Sequence, residues 1–472
     1  MPGSPAVPLR DVNSLDATLD DVLARQRAFF DSGATLPREF RESQLDALRH
    51  AVRKFEDRIF EALHADLRKS KTEAYGTEIG FVLAELRHTR KHLGRWMRGT
   101  SWFSPLVVGP SRSRIHWQPL GRNLIIAPWN YPFHLAIAPL VAAIAAGNVA
   151  VIKPSELSPA TSTVLAELVR DTFAPEFVTV VEGEVDVAQK LLAKSWDHIF
   201  FTGSPQVGRI VARAAAEQLC RVTLELGGKS PAVVTPSADM AIAARRLAWG
   251  KFTNAGQTCV APDYVLVHHS QHDRLIDGLR EAIRSFYGAD PRQSPDYGRI
   301  VSPRHLRRLV GLIDRGKVVI GGDVDEDDLY IAPTVLDGVA ASDAVMADEI
   351  FGPILPIATY DTLDEAFARI AEHPNPLAAY LFTRDDDEER RFVERVSFGG
   401  GCINNTLVHM GDPDLPFGGI GTSGLGAYHG HAGFEAFSHR KAVMRTGLFL
   451  DPSVKYPPYS DSKLAIVRKM LG

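Results

Sequence analysis

Hydrophobic positions change period along this chain. From Leu19 to Met97 they recur at helical spacing among mixed charges, as in Phe55 to Lys69, which predicts long amphipathic helices. Between Arg98 and Trp117, Pro, Gly and Ser punctuate a less regular stretch that reads as an excursion from the main domain. The pattern then shortens. Leu124–Ala127, Val149–Ile152, Val178–Val181, His198–Phe201 and Val222–Leu224 are β-branched or aromatic runs separated by helix-length intervals. Strand and helix alternating at this spacing predict right-handed crossovers and a buried parallel sheet, the usual platform for a dinucleotide. The longest apolar stretch, Leu135 to Ala146, is too short to span a bilayer. With Pro139 inside it and Gly147-Asn148 after it, it reads as a buried helix.

A second alternation follows Gly228. Helical Ala238–Thr253 leads into a loop holding Cys259, then strand Tyr264–His268 and helix His272–Phe286, with later strands at Ile354–Ala358 and Ala379–Thr383. From Gly399 the chain is rich in Gly and Pro, and Tyr456-Pro457-Pro458-Tyr459 leads into a short basic tail. No internal repeat or low-complexity tract interrupts this order. A length of 472 residues fits two or three domains. Hydrophobic residues at 45%, charged residues at 23% and a net charge of -4, with no basic block, remove any argument for a nucleic-acid partner. The three cysteines, Cys220, Cys259 and Cys402, form no CxxC pair. Neither a disulfide framework nor a thiolate metal site is expected, and a reducing, cytoplasmic setting is. Met1 to Arg10 has no apolar segment of the signal-peptide kind.

Three strings carry chemistry. Cys259 lies in Gly256-Gln257-Thr258-Cys259-Val260, a polar loop rather than a core stripe, whereas Cys220 and Cys402 read as small buried apolar residues. Glu225 ends a strand before Gly227-Gly228-Lys229, as a functional acid or as one pointing into solvent. Asn130 lies where a strand breaks, in Pro128-Trp129-Asn130-Tyr131-Pro132. A thiol, a carboxylate and an amide are the parts needed to attack a carbonyl, stabilise its oxyanion and activate water. Gly203-Ser204 follows a strand and opens a helix, where glycine and free N–H groups suit a phosphate or a plain turn. The literal GxGxxG match, Gly419 to Gly424, has no strand before it and no helix after it, and reads as a loop. Lys153 and Glu156 end a strand, as ribose ligands or as a surface ion pair. His268-His269 and His429-Gly430-His431 lack acidic partners at ligand spacing, so no metal is expected. No GxSxG elbow is present.

Together these strings resemble the aldehyde dehydrogenase superfamily, in the family's order and from about Leu19 to the C-terminus. Gly256–Tyr264, Glu349-Ile350-Phe351-Gly352-Pro353 and Tyr456–Tyr459 look like its class 3 branch. The resemblance implies an α/β fold with a Rossmann-like dinucleotide-binding domain (1–98 and 118–228), a second α/β catalytic domain (229–410), and a small dimerisation arm with the tail (99–117 and 411–472). It implies Cys259 as nucleophile, Glu225 as general base, and Asn130 with the Cys259 backbone N–H as oxyanion hole. Lys153 and Glu156 would hold the adenosine ribose, Gly203 and Ser204 the pyrophosphate, and Glu349 the nicotinamide ribose, with Phe351 near the ring. The implied activity is NAD-dependent oxidation of aromatic or medium- to long-chain aliphatic aldehydes to acids, with NADP usable, by a homodimer. Some class 3 members carry an apolar C-terminal anchor. This chain ends without one, and no integral membrane segment is expected. A relative passing the thioester to coenzyme A would not need Glu225, and a non-catalytic relative would be expected to have lost Cys259 or Asn130. Cys259→Ala should abolish aldehyde-dependent NADH formation, while Cys220→Ala and Cys402→Ala keep most of it. Substantial turnover by Cys259→Ala would remove the thiol from the mechanism.

Overall fold

Two parallel sheets divide the chain as the alternation predicts. The computed structural model describes residues 12–471, so the segment Met1 to Arg10 lies outside the described residues. The first sheet runs, in spatial order, Gly424–Leu425, Arg221–Glu225, His198–Thr202, Arg122–Ile126, Val149–Lys153 and Val178–Val180. All its pairings are parallel except that of Gly424–Leu425, which lies antiparallel against Glu225 and Leu224. The second runs Val318–Ile320, Thr334–Leu336, Ile354–Tyr360, Tyr264–His268, Pro231–Val234, Ala378–Phe382 and Gly400–Ile403. Only its first pairing is antiparallel. Pro231–Val234 is buried on both faces, so it lacks the alternation that advertises a half-exposed strand.

The excursion is more regular than its sequence suggests. Thr100–Phe103, Ser111–Pro119 and Ser438–Thr446 form a separate three-stranded antiparallel sheet. Its middle strand alternates in burial, with Arg112, Arg114, His116 and Gln118 exposed, but Ser111 and Ser113 stand on the more buried face and mask the hydrophobic period. The tail segment divides: Gly424–Leu425 joins the first sheet and the helix Gly430–Ala436 packs on His134–Ala146, whereas Ser438–Thr446 belongs to the three-stranded sheet. The last basic stretch forms the helix Asp461–Leu471.

Helices Arg38–Lys54 and Gly80–Trp96 pack around His134–Ala146, whose residues are all buried. A helix apolar on every side belongs in a core, and this one carries the strand break containing Asn130 into the interior. A buried ion pair fixes that break. Lys69 Nζ bonds Glu78 Oε1 at 2.6 Å and the Asn130 carbonyl at 2.8 Å, with both side chains wholly shielded. Glu78 Oε2 accepts the N–H groups of Phe133 (2.9 Å) and His134 (3.1 Å). Glu78 lies on a π-helical turn, Tyr75–Ile79, between helices Lys71–Ala74 and Gly80–Trp96. Such turns are frequent at functional sites.

Removing one partner of a buried pair strands the other charge and costs about 3–5 kcal/mol. Lys69→Ala should therefore lower the urea midpoint and slow aldehyde oxidation together. A variant within about 1 kcal/mol of wild type would show that the clamp carries little of the fold's stability.

Candidate active site

The helix Met240–Phe252 stops where three consecutive residues, Asn254 (φ 53°), Ala255 (φ 50°) and Gly256 (φ 73°), adopt left-handed backbone. A Cβ on Gly256 would sit 2.2 Å from the Gly352 carbonyl oxygen, so only glycine fits. The turn is braced on every side. Gln257 is fully buried; its amide donates to the carbonyls of Asn254 (3.0 Å) and Arg299 (2.9 Å) and accepts from Val301 N–H at 3.0 Å. Asn254 Nδ2 reaches the carbonyls of Asn130 (2.8 Å) and Gln257 (3.1 Å), and Tyr131 Oη meets Thr258 Oγ1 at 2.6 Å. Cys259 thus sits half-buried on a rigid loop.

Two cavities meet at this thiol. One, of about 560 Å³, is mostly apolar, with Phe81, Leu135, Trp249, Phe286, Met410 and Phe417 among its lining. The other, of about 260 Å³, is lined by Trp129, Asn130, Gly203, Ser204, Glu349 and Phe351. Cys259, Glu225, Leu226 and Thr202 line both. Glu225 does not point into solvent. It is 2% exposed, neither carboxyl oxygen has a hydrogen-bond partner, and burial raises its pKa well above the carboxylate range. Asn130 Nδ2 donates to the Gln257 carbonyl at 3.1 Å; an amide has a second N–H to offer. Burial, then the Glu349 and Glu225 carboxyls, push the Cys259 thiol up to about 12, opposed by its own N–H and that of Val260.

The other cysteines are half-buried rather than fully buried as expected. Each packs at the edge of a hydrophobic cluster, with Cys220 Sγ near the Arg221 carbonyl (3.1 Å) and Cys402 Sγ near His409 Nδ1 (3.5 Å). Among the described residues no group of three or more His, Cys, Asp or Glu could hold a metal.

The smaller cavity lies beyond the carboxyl ends of the parallel strands, where open α/β sheets take their ligands. Ser204 caps the helix Pro205–Glu217, accepting Val207 N–H at 3.4 Å. Glu349 is half-buried, accepts Gly228 N–H, and is raised to about 8 by burial and Asp263. A Cβ on Gly227 would fall 2.0 Å from its carboxylate. Phe351, at φ 54°, meets Trp129 edge-on at 5.3 Å. Lys153 and Glu156 end the neighbouring strand as a 3.2 Å pair; Lys153 is buried, so this is not the surface pair weighed from sequence, and neither residue lines the cavity at Cys259. Gly419–Ser423 forms a loop with one tight helical turn, Gly421–Ser423, whose Ser423 carbonyl accepts Leu226 N–H at 3.0 Å, and Gly424 begins the strand paired with Glu225. His429, read as an ordinary loop residue, is buried in the wall of the larger cavity.

The model of the Aldehyde dehydrogenase family matches residues 10–443. The chain belongs to the aldehyde dehydrogenase family. It is 49% identical over 435 residues to the 4,4'-diaponeurosporen-aldehyde dehydrogenase of Staphylococcus aureus, covering 92% of this chain and 95% of that one. It is 43% identical over 444 residues to the dimeric NADP-preferring aldehyde dehydrogenase of Mus musculus, covering 94% and 98%. Among solved structures it resembles substrate-bound AldH of Staphylococcus aureus, with a TM-score of 0.94, 46% identity and coverage of 96% and 99%. A Mycobacterium tuberculosis aldehyde dehydrogenase complexed with NAD+ matches at a TM-score of 0.81 and 28% identity, over 91% and 90%. This enzyme is an NAD(P)-dependent oxidoreductase acting on aldehydes. The cavity fits such a cofactor: a helix N-terminus, two glycines without side chains and an unpartnered Thr202 hydroxyl border it.

The dehydrogenase's thiol should be slow to alkylate without substrate. Above pH 8 Glu349 carries its charge and raises the thiol further. Glu349→Gln should accordingly speed iodoacetamide labelling of Cys259 at pH 9, followed by peptide mass spectrometry. Equal rates in the two proteins would remove Glu349 as a brake on the thiolate.

Proposed function

We propose that Cys259 is the nucleophile, Glu225 the hydrolytic base and Asn130 the oxyanion donor in oxidation of apolar aldehydes to acids. The observation carrying this reading is that Cys259 and Glu225 stand in the wall between the two cavities. An aldehyde arriving through the larger cavity meets the thiol. Sulfur adds to the carbonyl carbon, and the thiol proton passes to solvent water as the C–S bond forms. The resulting oxyanion is held by the Asn130 amide and the Cys259 backbone N–H; loss of such a donor costs roughly 10²–10³ in kcat. A nicotinamide held by Glu349 and Phe351 would supply the acceptor for the hydride lost from the thiohemiacetal carbon, which leaves a thioester on Cys259. Glu225 then accepts a proton from water, which attacks the thioester, breaks the C–S bond and frees the acid.

In this reading Gly203 and Ser204 hold the pyrophosphate, Glu349 the nicotinamide ribose, Phe351 the ring edge, and Lys153 and Glu156 the adenosine ribose. Glu156 favours NAD through the 2′-hydroxyl, while Lys153 and the NADP-preferring name of the mouse relative support NADP use. The apolar lining and the Staphylococcus aureus relative's name favour long aliphatic or aromatic substrates. We assign 1–98 and 118–228 to the cofactor domain, 229–410 to the thiol domain, and 99–117 with the tail from 411 to the dimer arm, its boundary moved toward 437 by the pairing of Gly424–Leu425. The open edge strand Ser438–Thr446, with exposed Val443 and Met444, and the relatives named dimeric favour a homodimer. Among the described residues no helix is long and apolar enough to cross a membrane. Three unpaired cysteines suit a reducing, cytoplasmic setting.

Glu225→Gln should release a burst of NADH approaching one equivalent per site, then turn over 10²–10⁴-fold more slowly, about the worth of general base catalysis. Because burial raises the Glu225 pKa, the unprotonated base grows with pH. Wild-type hydrolysis of the thioester should therefore keep rising beyond the pH at which an ordinary carboxylate near ~4.3 levels off. Stopped-flow absorbance and intact mass of the trapped thioester read both; wild-type steady turnover by Glu225→Gln would exclude it as the base.

A further inference from the structure

The reaction turns a neutral substrate into an anion where a mostly apolar cavity meets the smaller one. Its walls are chemically one-sided. No lysine or arginine lines the 560 Å³ cavity among the described residues, whereas three carboxyl groups do: Glu225, Glu73 and Asp296. Glu225 is buried without a partner and held toward its neutral form. Asp296 is exposed at the rim, where water screens it. Glu73 differs from both. It is half-buried, at the start of the helical region whose π turn carries Glu78, and its Oε1 accepts the N–H of Asn254 at 2.9 Å. That bond pins a carboxylate to the same left-handed turn that braces Asn130 and Gln257. The nearby Lys69 attracts Glu73, but it is bound at 2.6 Å to Glu78, whose carboxylate opposes that attraction.

We propose that Glu73 acts as an anion-discriminating residue of the substrate cavity, letting neutral aldehydes pass and repelling carboxylates, the enzyme's own product among them. The inference rests on the reading that the larger cavity is the aldehyde's route to Cys259. Thioester hydrolysis leaves a carboxylic acid that ionises, so substrate and product differ by one full charge while sharing their apolar part. Apolar burial alone binds the two tails equally and would retain the product. A fixed carboxylate in a partly dehydrated wall separates them, because like charges there are poorly screened. The same field disfavours aldehydes that carry a second, anionic end.

The test compares a carboxylate with its neutral isostere. Hexanoate and hexanamide are measured as inhibitors of hexanal oxidation at pH 8.5, where Glu73, raised to about 7 chiefly by burial, is charged. Wild type should bind hexanamide about tenfold more tightly than hexanoate. Glu73→Gln keeps an oxygen for Asn254 N–H and should bring the ratio toward one. An aldehyde ending in a carboxylate should gain kcat/KM in this variant relative to its primary amide. The ratio cancels general losses of folding or activity. A wild-type ratio near one, or a ratio that Glu73→Gln leaves unchanged, overturns the proposal. Hexanal oxidation that persists in Cys259→Ala would instead defeat the reading of the cavity itself.

Discussion

The site depends on one buried ion pair. Lys69 and Glu78 lie nine residues apart in sequence and outside both cavities, yet they fix the backbone from Asn130 to His134 through three hydrogen bonds. Without them the strand break after Arg122–Ile126 would bury a carbonyl and two N–H groups with fewer partners, at about 1–3 kcal/mol each. The pair replaces water with groups that cannot move away. An oxyanion donor, the role proposed for Asn130, is useful only if it is already in place when charge develops, and this clamp would provide that preorganisation.

A second constraint comes from the Cys259 loop. Three successive left-handed residues would be costly in isolation, and only the third is glycine. Asn254 is held there by bonds to Glu73, Asn130 and Gln257. The segment leading into the second sheet is consequently tied to the helical layer and to the first sheet at a single turn. Lys229 closes the other side, binding Asp263 at 2.8 Å and the carbonyls of Val345 and Asp348. Asp263 in turn accepts Ile350 N–H at 3.1 Å, which anchors the segment bearing Glu349 and Phe351. Lys229 and Asp263 thereby brace the segment that follows Cys259 against the one bearing Glu349.

What could be read from sequence was whatever is local. Cys259, Glu225 and Asn130 each lie in a short string whose neighbours mark a strand end or polar loop, and the structure brings all three to one junction. The two parallel sheets were legible because β-branched runs and helix-length gaps alternate. Lys69, Glu78 and Glu73 were not, since a charged residue in a helical pattern looks the same whether it faces water or a buried partner 61 residues away. The antiparallel sheet around Ser111–Pro119 was missed for a related reason: its partner strand Ser438–Thr446 lies more than 300 residues on, and the polar Ser111 and Ser113 on its more buried face hide a period of two. Long-range pairing leaves no mark in a local window.

The pairing of Gly424–Leu425 with Glu225 also has a bearing on the order in which the chain is made. Until those residues emerge, Arg221–Glu225 is the bare margin of the first sheet. At 5–20 residues per second, the intervening ~200 residues occupy a ribosome for about 10–40 s. During that interval a strand ending in a buried acid has no neighbour on one side, and such margins recruit foreign strands. The nascent first half therefore needs shelter from other nascent chains, and a truncation before Gly424 would leave that margin open in the finished product.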